Sequence, residues 1–388
     1  MAMAFRSSMQ GEAERSGRSE RLLLDGVSKR FGAVTALEPM TLDVQPGELL
    51  ALLGPSGCGK TTTLRLIAGF DQPDTGTVCI GGRDLTGLPP NKRGLGMVFQ
   101  NYSLFPHLSV GANIGFGLRM AGTPKGEITA RVKKMLETIR LPGIEARHIA
   151  QLSGGQQQRI ALARALITNP SVLLLDEPLG ALDKNLREGM QFELRQIQRE
   201  LGITSVMVTH DQEEALTMSD RVVVMDRGRI LQQGSPRDVY EQPRTRFVAE
   251  FLGTANVIEC DVIERRAQAV KLRPHGSTAE IVVPVRDARL SRERAEFAIR
   301  PERVVLDAPQ PHHVRFDGRI VQHVFRGAHH AYRVDVAALG RPVYAYEMAT
   351  SSAGGGARPA GAPVIISFDA ENAVLLDADV EPALAKAA

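Results

Sequence analysis

The sequence predicts an α/β domain built on a largely parallel sheet, followed by a small all-β domain of barrel or sandwich type. Three observations predict this. From about Arg21 to Gly234, short apolar runs alternate with longer helical patterns. A glycine-rich loop, "GPSGCGKT", stands between one apolar run and the next helical pattern. After Glu250 the texture changes to closely spaced strand-like pieces such as "NVIECDVI", "AVKLRP", "AEIVVPV", "GRIVQHVF" and "APVIISF".

A chain of 388 residues exceeds one ordinary core, and two or three domains are expected. The 47 basic and 44 acidic residues leave a formal charge of +3, spread along the chain, so charge does not point to nucleic acid. Cys58, Cys79 and Cys260 form no CxxC or disulfide pattern, which suits a reducing compartment. No apolar run approaches the roughly 18 residues that a bilayer crossing needs, so any service to a membrane is from its surface. Residues 1–20 read as a disordered tail. They lack the apolar block of a secretory signal, and Glu12, Glu14 and Glu20 argue against a mitochondrial presequence.

Within the α/β domain, "GELLALLG", "SVLLLDEP" and "ITSVMVTH" read as buried strands ending in polar residues, the place where open α/β sheets hold ligands. "RVVVMDRGRILQQG" reads as a hairpin turning at Asp226-Arg227-Gly228. The domain boundary falls around Gln242 to Thr254, giving a first domain over 21–252 and a second over 253–388. "TSSAGGGARPAGAP", near Thr350, reads as a flexible loop.

"GPSGCGKT" fits G-x-x-x-x-G-K-[ST] in the required strand-to-helix context, preceded by "GELLALL" and followed by "TTTLRLIAGF". Backbone amides of such a loop wrap phosphate oxygens, and Gly57 and Gly59 allow the close approach. Lys60 supplies charge to β- and γ-phosphates, and the Thr61 hydroxyl can ligate magnesium. Cys58 reads as a neutral loop residue. "SVLLLDEP" delivers Asp176 and Glu177 at a strand end, where alternation points neighbours to opposite faces. Asp176 suits magnesium, and Glu177 suits polarising the water that attacks a γ-phosphate. "LSGGQQQR", ahead of the helical "IALARALI", reads as a helix N-terminus with approachable backbone. On these residues alone, a plain capped helix and a second anion site, serving the nucleotide of another copy in a head-to-tail dimer, stay equally open.

"LSGGQ" lying between "GPSGCGKT" and "VLLLDEP" resembles the signature of ATP-binding-cassette (ABC) ATPases, and the resemblance covers roughly Leu22 to Leu252. It implies an ABC nucleotide-binding domain of P-loop ATPase fold, with a helical subdomain at about 101–152. It also implies ATP and magnesium as cofactors. The nucleotide-binding set is then Phe31, Gly54, Pro55, Ser56, Gly57, Cys58, Gly59, Lys60, Thr61 and Thr62, with Ser153, Gly154, Gly155, Gln156 and Asp183 acting across a dimer. Phe31 in "KRFGAVTAL" takes the place of the aromatic that stacks on adenine. Glu177, His210 and Gln100 are the implied catalytic residues, and Thr61, Gln100 and Asp176 the implied metal ligands. Leu104, Phe105, Pro106 and Leu108 read either as core or as a groove for a helix of a membrane-spanning partner.

The second domain resembles the barrel-like (TOBE/OB-like) regulatory domain of importer-type cassettes, with "AIRPERV" as the clearest match. The implied function is an ATP-hydrolysing importer subunit peripheral to the cytoplasmic face of the inner membrane. Its implied partners are a second cassette, transmembrane permease subunits and, indirectly, a solute-binding protein, with no nucleic acid. The wording is most similar to the spermidine/putrescine branch. Ferric-iron, 2-aminoethylphosphonate, sulfate and sugar branches are alternatives, and a soluble cassette ATPase acting on DNA or ribosomes is the rival of another class. Five of nine histidines fall between His312 and His330, and their pairs read as solvated side chains rather than a metal site.

Overall fold

A computed structural model describes residues 19–180, 182–285, 293–308, 310, 312–349 and 357–377. Most of the expected tail, and residues 350–356 of the expected loop, lie outside the described residues. The chain divides into two compact units at Pro236 and Arg237, earlier than the change of texture at Glu250.

The first unit holds two sheets. Strands β1 (Leu22–Phe31), β2 (Val34–Val44), β4 (Thr75–Ile80) and β5 (Arg83–Asp84) form an antiparallel sheet in the order β2-β1-β4-β5. The expectation of one largely parallel sheet did not include it. The alternation of buried and exposed positions in β2 marks a sheet with one packed face, a two-fold pattern distinct from the continuous apolar runs of the parallel strands.

The second sheet runs β10-β9-β3-β8-β7-β6, with β3 at Leu49–Leu53, β6 at Leu95–Val98, β7 at Val172–Asp176, β8 at Thr204–Thr209, β9 at Arg221–Asp226 and β10 at Arg229–Gly234. All pairs are parallel except β9 and β10, the hairpin read from sequence, whose turn residues Arg227 and Gly228 have φ of 45° and 75°. Every residue of β3 and β8 is buried, as expected when helices cover both faces. The register places Leu53 beside Thr209, Asp176 beside Val208 and Val98 beside Leu175. The residues that follow these strands, Gly54, His210, Glu177 and Gln100, are thereby delivered to one edge.

Helix α1 (Lys60–Ala68) follows the glycine loop and stops at Gly69, whose φ of 82° suits a glycine C-cap. Helices α2 (Val110–Ile114), α3 (Phe116–Met120) and α4 (Lys125–Thr138) occupy the region expected to be helical. Their apolar faces, including Val110, Ile114, Val132 and Leu136, close on Ile160 and Ala163 of α5 (Gly154–Leu166). Helices α6 (Lys184–Leu201) and α7 (Gln212–Met218) complete the unit. Among the described residues, no helix is long and apolar enough to cross a membrane.

The second unit contains α8 (Pro236–Glu241, from Arg237 on), α9 (Arg246–Phe251) and two five-stranded antiparallel sheets. One is built from β11 (Asn256–Arg265), β12 (Ala269–Pro274), β13 (Ile281–Pro284), β14 (Arg294–Ile299) and β20 (Val374–Leu376). The other is built from β15 (Val305–Leu306), β16 (Val314–Phe325), β17 (His329–Val336), β18 (Arg341–Met348) and β19 (Pro363–Phe368). Phe297 of the first sheet and Phe316, Tyr332 and Phe368 of the second share one core. Arg300, in "AIRPERV", explains why the two helices belong here. Its buried guanidinium donates to the carbonyls of Tyr240, Ala249 and Thr254 at 2.8–3.3 Å and lies 4.0 Å over the Tyr240 ring.

Candidate functional site

The loop after β3 is shaped by steric exclusion. A Cβ on Gly54 would lie 2.3 Å from the Met225 carbonyl oxygen, and one on Gly59 would lie 2.8 Å from that of Ala36. Gly57 and Gly59 have φ of 78° and 109°, a region other residues enter only with strain. The buried Lys60 ammonium folds back over the loop, donating to the carbonyls of Gly54 at 2.7 Å and Pro55 at 2.9 Å. A cation at a helix N-terminus, beside the exposed Ser56 and Gly57, is chemically suited to an anion. Cys58 is buried under this ammonium, 3.7 Å from it, and burial pushes its thiol pKa up. Thr61 is exposed and Thr62 half-buried, while Thr63 turns its hydroxyl to the Gly59 carbonyl.

Gln100, Glu177 and His210 come together. The Gln100 amide donates to one Glu177 carboxylate oxygen at 2.7 Å, and His210 Nδ1 lies 3.0 Å from the other. Alternation along the strand does not separate Asp176 from Glu177. Glu177 leaves extended geometry altogether, with φ of 44°, and is anchored by its amide donating to the Val208 carbonyl at 2.9 Å. The turn leaves Asp176 half-buried, and burial, then the neighbouring Glu177, raises its pKa while Arg65 opposes this.

The loop carrying Gln100 is held by a residue that the sequence reading passed over. Arg164 of α5 donates to the carbonyls of Tyr102 at 2.8 Å and Ser103 at 2.7 Å, both at positive φ, and lies 5.4 Å from the Phe105 ring. A lone charge inside the apolar "IALARALI" was its sequence signal, because a cation drawn partly out of water needs acceptors. The Asn113 amide also brackets Phe105, binding both its N–H and its carbonyl. Phe105 and Leu108 are half-buried, Leu104 packs on the helical core and Pro106 is exposed.

Ser153 caps α5 reciprocally: its hydroxyl accepts from the Gln156 amide and the Gln156 side chain accepts from the Ser153 N–H. The glycines of "LSGGQ" are packed as well as bare. A Cβ on Gly154 would meet Leu182 at 3.2 Å, and one on buried Gly155 would meet Leu186 and Met190 at 3.5 Å. Gln157 donates to the carbonyls of Ile149 and Leu152, whereas Gln158 is buried with neither amide atom hydrogen-bonded. Asp183 caps α6 through the Leu186 amide at 3.0 Å. Phe31 is half exposed at the end of β1, with Lys29 Nζ 5.5 Å from its ring centre. Among the described residues, no hydrogen bond or ion pair joins Ser153–Gln156 to the Gly54–Thr62 loop of the same chain.

Thr61, Gln100 and Asp176 offer the oxygen donors that a hard divalent cation takes, and a cation beside Asp176 would offset the burial and the neighbouring Glu177 charge that raise its pKa. Among the described residues, no group of three or more His, Cys, Asp or Glu is placed to hold a metal. Of the five clustered histidines, His323 and His330 share a 2.8 Å hydrogen bond, and His312 lies 3.4 Å from Asp369.

Comparison with known proteins agrees with this architecture. The profile of the family described as ABC transporter matches residues 37–180, and that of the TOBE domain matches residues 297–376. The chain is 52% identical, over 293 residues, to the spermidine/putrescine import ATP-binding protein PotA of Rubrobacter xylanophilus, covering 75% of this chain and 78% of the relative. It is 48% identical, over 311 residues, to the Fe(3+) ions import ATP-binding protein FbpC of Brucella abortus, covering 80% and 86%. Among solved structures it is similar to cbiO1 from Clostridium perfringens, part of the ABC transporter complex cbiONQ. That match has a TM-score of 0.53 and 30% identity over 56% of this chain and 89% of the other. The dimeric bacterial ABC transporter cassette MJ0796 matches with a TM-score of 0.50 and 32% identity over 56% and 99%.

Proposed function

The chain belongs to the ABC transporter family as the ATP-hydrolysing subunit of an importer, and from that premise we propose that its solute is a polyamine and that the residues above act as follows. The polyamine reading rests on relatives named for spermidine/putrescine import, at 47–52% identity. The FbpC relative supports ferric iron as the second reading.

ATP binds with its phosphates on the backbone N–H groups that the Gly54–Thr62 loop offers after Pro55, and Lys60 exchanges part of its carbonyl coordination for β- and γ-phosphate oxygens. Phe31 offers its exposed ring to the adenine. Thr61, Gln100 and Asp176 would hold magnesium, which would supply neutralising charge on the phosphates. Glu177 orients a water in line with the γ-phosphorus and accepts its proton as the bond to the ADP oxygen breaks. His210 and Gln100 hold the two oxygens of that carboxylate.

Ser153, Gly154, Gly155, Gln156 and Asp183 serve the nucleotide of a second copy, a reading supported by the likeness to a dimeric bacterial ABC transporter cassette. The pair works at the cytoplasmic face of the membrane against permease subunits fed by a solute-binding protein, and nucleic acid takes no part. The observation that carries the catalytic reading is the Gln100–Glu177–His210 cluster at the end of the parallel strands. Glu177→Gln should retain ATP binding, trap a nucleotide-bound dimer and abolish turnover; undiminished hydrolysis would overturn the reading. ATPase stimulation of the assembled transporter by putrescine or spermidine, rather than by ferric iron, decides the solute.

A further inference from the structure

One guanidinium connects the two loops that flank the catalytic carboxylate. Arg187 lies in the first turn of α6. Its Nη2 donates to the Leu182 carbonyl at 3.1 Å, in the "LGALD" loop, and its Nη1 donates to Asp211 Oδ2 at 2.9 Å. Asp211 is the residue after His210. The other Asp211 oxygen accepts from the amides of Glu213 and Glu214, and its own N–H donates to the Thr209 hydroxyl at 2.9 Å. The Thr209 hydroxyl donates to buried Glu214 at 2.6 Å, and the second Glu214 oxygen lies 3.9 Å from Arg187 Nε. That nitrogen is buried without a hydrogen-bond partner, so the guanidinium is aimed at these acceptors by packing. Leu182, for its part, is buried against the position of Gly154.

We propose that Arg187 is a positioning residue that ties the Leu182–Asp183 segment to the placement of His210, so that a shift of either loop is felt at Glu177. This rests on the catalytic reading of His210 and Glu177 given above. A half-exposed ion pair ordinarily contributes little. Here a single planar fork spans two acceptors on different elements, a backbone carbonyl and a carboxylate, and each adjoins a residue of the site. A lysine keeps the charge but carries its three hydrogens on one nitrogen, so it does not reproduce a planar fork whose two terminal nitrogens reach acceptors on different elements. The His210 ring is exposed and held on one side by Glu177, and the backbone after it is fastened by the Asp211 N–H donating to the Thr209 hydroxyl.

The test uses the full chain carrying Arg187→Lys, Asp211→Asn or both. Each single variant should lower kcat by about tenfold to a hundredfold while KM for ATP stays within about twofold, since small misplacements of catalytic groups cost rate more than binding. The thermal midpoint should stay close to that of the parent. The double variant should be no slower than the worse single variant, because both break one connection. Rates within about twofold of the parent would overturn the proposal. So would losses that multiply in the double variant, or losses that track a fall in thermal midpoint. If Arg187→Lys does not fold, the isosteric Asp211→Asn decides alone. An inactive parent chain would instead refute the catalytic reading, which separates the two failures.

Discussion

His210 Nδ1 and the Glu177 carboxylate lie 3.0 Å apart, across 33 positions of sequence, and Gln100 holds the opposite oxygen of that carboxylate at 2.7 Å. The geometry divides labour. Gln100 can only donate a neutral amide hydrogen here, whereas His210 can carry a proton or a charge. His210→Ala should therefore lower kcat by about 10²- to 10³-fold, the usual cost of removing a group that meets developing charge. Gln100→Ala should cost about tenfold, with KM for ATP changed less than kcat in both. Steady-state ATPase assays check this, and equal losses for the two variants would contradict the division.

Two glycines of the phosphate loop should respond differently to one methyl group. Gly57 has open space where a Cβ would stand, so Gly57→Ala meets only the φ penalty, about 1–3 kcal/mol. Gly59 adds a contact of 2.6 Å to Leu37 and 2.8 Å to the Ala36 carbonyl, so Gly59→Ala should lose more stability and ATP affinity together. Chemical unfolding and nucleotide titration measure both. Equal stability for the two variants would show that the Gly59 contacts relax freely.

Gln158 should be a site where function and stability part. The residue is 2% exposed and its amide is buried and unpartnered, a penalty of about 1–3 kcal/mol per buried polar group. Gln158→Met keeps the volume, removes that penalty and should raise the thermal midpoint by several degrees, at roughly 2–4 °C per kcal/mol. An unchanged or lowered midpoint in calorimetry would mean that ordered water satisfies the amide.

Asp176 gives a prediction in pH. Burial, followed by Glu177, raises its folded pKa above the ordinary carboxylate value of 3.8. A carboxyl with a raised folded pKa stabilises fully below its unfolded pKa, and that stability is lost as pH rises through the folded value. Asp176→Asn, assayed without divalent cation, should therefore melt above the parent at neutral pH. The difference should shrink as pH falls toward 3.8. A difference that is constant with pH, or that grows in acid, would reverse the assignment of burial as the cause.

What the sequence determined by itself was everything encoded by near neighbours. "GPSGCGKT" needs only a strand before it and a helix after it, "LSGGQ" a serine cap and glycines, and "MDRGRI" a two-residue turn, because each depends on φ/ψ limits and hydrogen bonds within a few residues. The change from helical to strand texture likewise announced the second unit, although short β15 and β20 carry too few residues to show a period.

Tertiary structure alone decided what depends on partners distant in the chain. It set Glu177 at a φ of 44° between groups 77 and 33 residues away, where strand alternation had suggested a simple division of faces. It turned Lys60 onto its own loop carbonyls, fixed the Gln100 loop with Arg164, and left one of three consecutive glutamines buried and unpaired. The physical reason is common to these cases. Periodicity reports which face of an element is apolar, but a polar side chain's role is set by the acceptors that packing brings within about 3 Å, and those come from other elements.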